Sequence, residues 1–575
     1  MFRLFRFLKP YVIPMIAIVI LVFLQALASL YLPTLMSDIV NSGIINGDIN
    51  YIMKTGGLML LVASSSSICA ICAGLLSSQV AMGFGKIIRA EIFNHVTSFS
   101  LHEFDKLGTP SLITRTTNDI VQIQNVMMFA MRMVILSPLM CIGAIIMAVS
   151  KDKELSWVII AVVPVLSTAI FIIARKGFPL FQVIQSKLDK INLVVRETLM
   201  GIRVIRAFNR IESEKERFHR ANLDLTETSI KVNQIMASMM PIMMLLMNLT
   251  TISVIWFGSV RIEQGGTNIG NMMAFLQYAM QIMFAIMMAT MMFIMIPRAQ
   301  AAAVRVNEVL ATVPEIEDPE YEKPAGNKQG YLEFKDVTFN YYGAEEPALK
   351  HISFKACPGE VTAIIGSTGS GKSTLINLIP RFYDVSSGSI EIDGVDVREM
   401  SQETLRSKIG LVPQKAVLFS GTIADNIRYG KEDATIAEVQ YAAEVAQASE
   451  FISGMKDGFD SMIAEGGTNL SGGQKQRLSI ARALVGRPEI YVFDDSFSAL
   501  DFKTDAKLRA ALKKETADAT VIIVGQRVAT IMDADRIIVL DEGEIAGMGT
   551  HKELYQSCEV YREIVASQLS EEEIA

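Results

Sequence analysis

Val361-Thr362-Ala363-Ile364-Ile365-Gly366-Ser367-Thr368-Gly369-Ser370-Gly371-Lys372-Ser373-Thr374-Leu375-Ile376-Asn377-Leu378 reads as a short apolar strand, a glycine-rich turn and the start of a helix. Its centre, Gly366 to Thr374, has the spacing G-x-x-x-x-G-K-[ST] in the strand-to-helix setting that this phosphate-binding loop requires. Glycines let backbone N–H groups curl around phosphates, and the helix start adds its dipole. Lys372 is placed to reach the β- and γ-phosphates, so this stretch specifies an α/β nucleotide domain. Ser373 is the expected Mg²⁺ ligand on this side.

Downstream, Tyr491-Val492-Phe493-Asp494-Asp495-Ser496-Phe497-Ser498-Ala499-Leu500-Asp501 reads as a buried strand, Ile490 to Phe493, that delivers two carboxylates to its carboxyl end. Open α/β sheets keep their ligands at that end. Asp494 is the candidate to hold the metal ion, usually through water. A second glycine motif, Leu470-Ser471-Gly472-Gly473-Gln474, opens a helix and makes another backbone anion site. One chain does not easily place both glycine sites on the same phosphates. That favours two nucleotide domains facing head to tail, each lending its Ser471-type loop to the other's ATP.

Outward from these motifs, strand and helix signals interchange from Tyr331 to the end. A Pro- and acid-rich linker, residues 312–330, precedes them. The first 311 residues are of another kind: the chain is 51% hydrophobic yet 20% charged, as expected for a greasy part joined to a soluble one. Six stretches satisfy the roughly 20 apolar residues needed to cross a membrane: about Val12 to Met36, Thr55 to Val80, Val126 to Val149, Ser156 to Ala174, Ile235 to Ser259 and Met272 to Ile296. Connections alternate in length, and the long one from Arg175 to Lys231 holds about a dozen Lys and Arg. The positive-inside rule places the long connections, the N-terminus and the nucleotide domain in the cytoplasm. The aromatic, basic N-terminus reads as an interfacial helix. Asp119 and Glu197 fall on helical extensions of the spans, where a solvated charged face is the default; Arg132 lies within a span or snorkels from it.

A net charge of -7 gives no nucleic-acid footprint. The five scattered cysteines imply no disulfide framework, and Cys69-x-x-Cys72 reads as small membrane-helix residues. Methionines crowd the fifth and sixth spans, with Phe275, Gln277, Tyr278, Gln281 and Phe284 beside them. Such a surface either packs helices and lipid or repacks around an amphipathic ligand.

With both glycine motifs in hand, the chain resembles an ATP-binding-cassette exporter half-transporter over nearly its whole length. The resemblance implies an all-α membrane domain (1–311), the linker (312–330) and an α/β nucleotide domain (331–575). It also implies ATP and Mg²⁺ as cofactors and an inner or plasma membrane location in a bacterium. By motif, Tyr341 is similar to the family's adenine-stacking residue. The phosphate loop is Gly366, Ser367, Thr368, Gly369, Ser370, Gly371, Lys372, Ser373 and Thr374, and Gln414 follows the family's Q-loop. Ser471, Gly472, Gly473 and Gln474 form the signature, and Asp501 closes the D-loop. The resemblance makes Ser373, Gln414 and Asp494 the metal set, with Asp495, Gln526 and Gln414 the catalytic set. Arg115-x-x-x-Asp119 and Glu197-x-x-x-Gly201 match the family's coupling regions, the second reaching across to the partner's nucleotide domain.

Two positions depart from the family. Asp495 stands where a Glu usually polarises water, one methylene short, and Gln526 stands where the family has His. Displacing a base by roughly 1 Å can cost on the order of 10²-fold in rate, and Gln lacks an imidazole to protonate. The bland account is drift that leaves the site working. The sharper one is a degenerate ATP site retained for binding, in a heterodimer with a second half-transporter, resembling bacterial heterodimeric multidrug exporters. The expected activity is export of amphipathic drugs, lipids or peptides. A homodimeric lipid or drug exporter and an ATP-regulated, non-transporting membrane protein are the rivals.

Overall fold

The computed structural model describes residues 2–324 and 329–568. Met1, residues 325–328 of the expected linker and residues 569–575 of the expected nucleotide domain lie outside the described residues. The chain divides into two compact units, Met1–Thr97 with Pro110–Thr312, and Ser98–Thr109 with Val313–Ala575.

The first half of the chain is helical: α1 (Val12–Asp38), α2 (Ile49–Thr97), α3 (Leu101–Leu107), α4 (Thr109–Thr114), α5 (Ile120–Lys151), α6 (Ser156–Met200), α7 (Ile202–Ala207), α8 (Ile211–Ala237), α9 (Met239–Glu263) and α10 (Ile269–Ala311). Of these, α3 belongs to the second unit. Among the described residues, six helices are long and apolar enough to cross a membrane. They outrun the expected spans: the 49 residues of α2 extend roughly 70 Å, more than twice a hydrocarbon core. Within the first unit α10 buries Ala299, Ala302, Ala303 and Val306, small or β-branched side chains that let helix backbones approach.

Of the charged positions expected to be solvated, Glu197 is exposed as expected and Asp119 is not. Asp119 is 1% exposed, and Arg305 of α10 donates to both its oxygens, at 2.7 and 2.5 Å. A π-turn over Arg115–Asp119 swings that carboxylate inward, which the 3.6-residue period alone does not register. Glu197 accepts from Arg217 at 2.5 Å. Arg132 is half-buried beside Gly74, and its Nε has no hydrogen-bond partner among the described residues. Cys69 and Cys72 are free thiols on α2.

In the second unit the strands are β1 (Leu332–Phe339), β2 (Leu349–Ala356), β3 (Val361–Gly366), β4 (Ser387–Ile392), β5 (Val395–Asp396), β6 (Ile409–Val412), β7 (Gly421–Thr422), β8 (Met462–Ile463), β9 (Ile490–Asp494), β10 (Thr520–Val524), β11 (Arg536–Asp541) and β12 (Glu544–Gly549). Between and after them lie α11 (Lys372–Leu378), α12 (Gln402–Ser407), α13 (Ile423–Arg428), α14 (Ile436–Val445), α15 (Ser449–Ser453), α16 (Gly472–Val485), α17 (Phe502–Glu515), α18 (Val528–Ile531), α19 (His551–Ser557) and α20 (Glu559–Ala566). An antiparallel sheet, β2-β1-β4-β5, faces a larger one ordered β12-β11-β3-β10-β9-β6, parallel except at β12. Ile490, Tyr491, Val492 and Phe493 of β9 are all buried, the continuous apolar run of a strand covered on both faces.

Register brings the site together. Val524 pairs with Asp494 and with Ile364, and Val412 with Phe493. The carboxyl ends of β3, β6, β9 and β10 therefore share one edge, each delivering a motif to it.

Candidate ATP site

The phosphate loop leaves β3 at Gly366, where a Cβ would stand 2.1 Å from the Leu540 carbonyl and 2.6 Å from Ser370 Oγ. Gly369 and Gly371 adopt φ of +87° and +96°, in the left-handed region that disfavours side chains. At Gly371 a Cβ would also meet the Ala348 carbonyl at 2.8 Å. Lys372 folds back over the loop, donating from Nζ to the carbonyls of Gly366 at 2.9 Å and Ser367 at 2.7 Å. Burial pushes its pKa down, opposed by the charges of Asp494 and Asp495. Ser367, Thr368, Gly369 and Ser373 are exposed, whereas Ser370 and Thr374 are buried. Tyr341, beyond the end of β1, lies 3.1 Å from Thr374 Oγ1 through its hydroxyl.

At the neighbouring strand ends, Gln414 Nε2 donates to Asp495 Oδ2 at 3.2 Å. Asp494 is half-buried; burial first and the Asp495 charge second raise its pKa, while a backbone hydrogen bond from Gln414 and the Lys372 ammonium lower it. An oxygen donor set of one carboxylate, a hydroxyl and an amide, around a carboxylate short of solvation, fits a hard cation such as Mg²⁺. Asp495 has φ of 44° and its N–H donates to the Val524 carbonyl at 3.0 Å. Gln526 is exposed just past β10.

The signature and D-loop form a second cluster. Ser471 caps α16: its Oγ accepts from the Gln474 N–H at 3.3 Å, and its own N–H donates to Gln474 Oε1 at 2.9 Å. A Cβ on Gly473 would stand 3.1 Å from the Ala499 carbonyl. Asp501 caps α17 through the Thr504 N–H at 3.0 Å, which holds its carboxyl below the usual range. Among the described residues no hydrogen bond joins Ser471–Gln474 to the phosphate loop. Thus Gly366–Thr374, Gln414, Asp494 and Asp495 are gathered at one sheet edge, Tyr341 meets them through Thr374 and Gln526 lies on an adjacent strand end, whereas Ser471–Gln474 and Asp501 make no hydrogen bond to them among the described residues.

Residues 15–287 match the ABC transporter transmembrane region, and residues 349–498 match the ABC transporter domain. The chain belongs to the ABC transporter family. This ABC transporter is 44% identical over 565 residues, 98% of its length and 97% of the relative's, to an uncharacterized ABC transporter ATP-binding protein of Mycobacterium tuberculosis. It is 30% identical over 575 residues, 99% of its length and 98% of the relative's, to the ATP-dependent lipid A-core flippase of Vibrio parahaemolyticus. Its fold matches a bacterial Atm1-family ABC exporter solved with ATP bound, with a TM-score of 0.81 at 25% identity over 97% of this chain and 98% of that one. The transporter accordingly has the exporter fold, a nucleotide domain of the ATP-binding family and six helices that make it a multi-pass inner-membrane protein.

In the membrane unit the methionine-rich helices only partly line open space. A cavity of about 460 Å³ is bounded by Met240, Pro241, Met243, Met244 and Met247 of α9 and Met283, Phe284 and Met287 of α10. Phe275 and Tyr278, expected beside it, are fully buried. The Tyr278 hydroxyl lies 2.8 Å from Thr34 Oγ1 and donates to the Leu30 carbonyl at 3.0 Å. Helix packing claims these two aromatics, and the Tyr278 phenol has the partners that a hydroxyl in an apolar core must find.

Proposed function

We propose that this ABC exporter is one subunit of a heterodimer that couples ATP to the export of amphipathic molecules, and that its own ATP site binds nucleotide but hydrolyses it slowly. The supporting observation is the contrast at the sheet edge. The phosphate loop, Asp494 and Gln414 keep a phosphate-binding geometry, while Asp495 and Gln526 replace the two groups that usually drive hydrolysis. In this reading Tyr341 stacks the adenine and Gly366–Thr374 cradle the phosphates. Lys372 exchanges its loop carbonyls for the β- and γ-phosphates. Ser373, Asp494 and Gln414 would hold Mg²⁺, which supplies charge neutralisation at the phosphates when bound. Asp495 orients water less well than a longer carboxylate, and Gln526 hydrogen-bonds the γ-phosphate. Ser471–Gln474 and Asp501 complete the partner's site. ATP held between the two nucleotide domains favours their closed state, and hydrolysis at the partner's site releases it. The methionine-lined cavity suits apolar portions of a substrate.

The test combines Asp495→Glu with Gln526→His in the full-length transporter. Turnover at this site should rise at least tenfold. No change in single-turnover hydrolysis would refute the assignment of these two residues. If the chain purified alone already shows Lys372-dependent turnover of order 1 s⁻¹ or more, within the ordinary enzyme range, the homodimeric reading replaces the heterodimeric one.

A further inference from the structure

Gln526 and Arg527 are exposed, and neither side chain holds the start of this segment in place. Among the described residues no hydrogen bond reaches the Gln526 side chain, and Arg527 at the N-cap of α18 offers no side-chain cap. Beside the buried Val528 side chain and the Gly525 N–H, which donates to the Ile364 carbonyl at 3.1 Å, the backbone of Gln526 itself is held from forty-two residues away. Gln568 donates from Nε2 to the Gln526 carbonyl at 2.8 Å and accepts on Oε1 from the Val528 N–H at 2.8 Å. A carbonyl needs a donor and an N–H needs an acceptor, so these two partners dictate the orientation of the amide. Gln568 in turn is fixed to the end of α20, its own N–H donating to the Val565 carbonyl at 3.0 Å. Val565 and Tyr561 of α20 share one buried cluster with Val528 and Ile531 of α18 and with Ala363 and Ile365 of β3, the strand that delivers the phosphate loop. On the other flank Arg509 of α17 donates to the Ala529 carbonyl at 3.1 Å. The segment from 526 to 529 is thus referenced to the core beneath the phosphate loop through the Val528 side chain and, at Gln526, through Gln568, and to the D-loop helix through Arg509.

We infer that Gln568 is a positioning residue for the nucleotide site: by bracketing Gln526 and Val528 it sets where residue 526 meets the terminal phosphate. This rests on the reading above that Gln526 contacts the γ-phosphate. Losing the bracket returns a carbonyl and an N–H to water and lets the segment drift, while the loop that grips the inner phosphates is untouched. The signature is a selective loss of ATP over ADP preference. Affinities of the full-length chain for MgATP and MgADP should be titrated in Gln568→Met, similar in size but without the amide, in Gln568→Glu, in Gln526→Ala and in the double variant Gln526→Ala/Gln568→Met. The expected result is a roughly three- to tenfold fall in ATP preference for Gln568→Met, the scale of about one net hydrogen bond. ADP affinity should stay within twofold, which also reports an intact fold. Gln568→Glu, which keeps the acceptor and loses the donor, should fall between. The double variant should lose no more than Gln526→Ala alone, since both act through one contact. Retained ATP preference in Gln568→Met beside a loss in Gln526→Ala, or additive losses, overturns the inference. An unchanged preference in Gln526→Ala instead overturns the γ-phosphate reading, and the positioning role with it.

Discussion

Asp495 combines two demands that its identity alone does not separate. Its φ of 44° lies in the left-handed region, where Asp and Asn are enriched among non-glycine residues. A longer side chain recovers the missing reach at the expense of backbone preference, by up to about 2 kcal/mol. Its carboxylate also receives the Gln414 amide and raises the pKa of Asp494, so its charge opposes the negative charge gathered there. Asp495→Asn keeps the left-handed preference and removes the charge. It should lower single-turnover hydrolysis at this site at least tenfold while leaving MgATP affinity equal or tighter; unchanged hydrolysis would mean that Asp495 does not orient water. Tyr341 separates in the same way. Tyr341→Phe removes only the hydroxyl that meets Thr374 and should change ATP affinity less than threefold, whereas Tyr341→Ala should weaken it about tenfold or more, as loss of a base stack does.

Among the elements, two pairings carry measurable weight. Breaking the Asp119–Arg305 pair leaves a half-exposed guanidinium without the buried carboxylate it clasps. Asp119→Ala should therefore cost about 1 to 3 kcal/mol, less than a fully buried pair, seen as a lower melting temperature. Asp119→Ala/Arg305→Ala should cost less than the two single changes summed. At the start of α14, Lys431 first, then the N–H and hydroxyl of Thr435, hold the Glu438 carboxyl down at about 2. Folding thus weakens its grip on a proton, so its stabilisation is complete above the ordinary value near 4.5 and is lost as pH falls toward about 2. Glu438→Gln should lower the melting temperature slightly at pH 7, and the difference from the parent should close across that acid window. The capping box at Thr435-x-x-Glu438 was open to reading from spacing. The π-turn that buries Asp119 was not, since it inserts an extra residue into a period that remains apolar on either side. Tyr278 misleads for a related reason: methionine and aromatic composition is the same whether a helix face meets a cavity or another helix.

For the whole molecule, the strongest signals in the chain were local ones with obligatory geometry. The phosphate loop from Gly366 to Thr374 needs a strand before it and a helix after it, and the six apolar runs need a membrane, so the exporter architecture was legible without coordinates. Contacts made at long range were not. Nothing near Gln526 indicates that Gln568 brackets its backbone, and the coupling turn that the resemblance implied ahead of Arg115 had no residue-level partner until the fold grouped Ser98–Thr109 with the nucleotide unit, where Tyr383 donates to Asp105 at 2.8 Å. The same asymmetry between local and distant partners frames the proposed division of labour. If Ser471–Gln474 serves the partner's ATP while Lys372 serves this chain's own, damage to the two motifs in one complex has unequal effects. In the assembled heterodimer Ser471→Arg should abolish most steady-state ATPase, by tenfold or more, because it places bulk and charge at the catalytic sandwich. Lys372→Ala should reduce the same rate only a few-fold, through loss of the bound nucleotide that favours closure. Both are read in one steady-state ATPase assay, with nucleotide occupancy of each site followed separately. Equal losses would mean two equivalent sites, and a larger loss from Lys372→Ala would mean that the main turnover occurs on this chain's own phosphate loop.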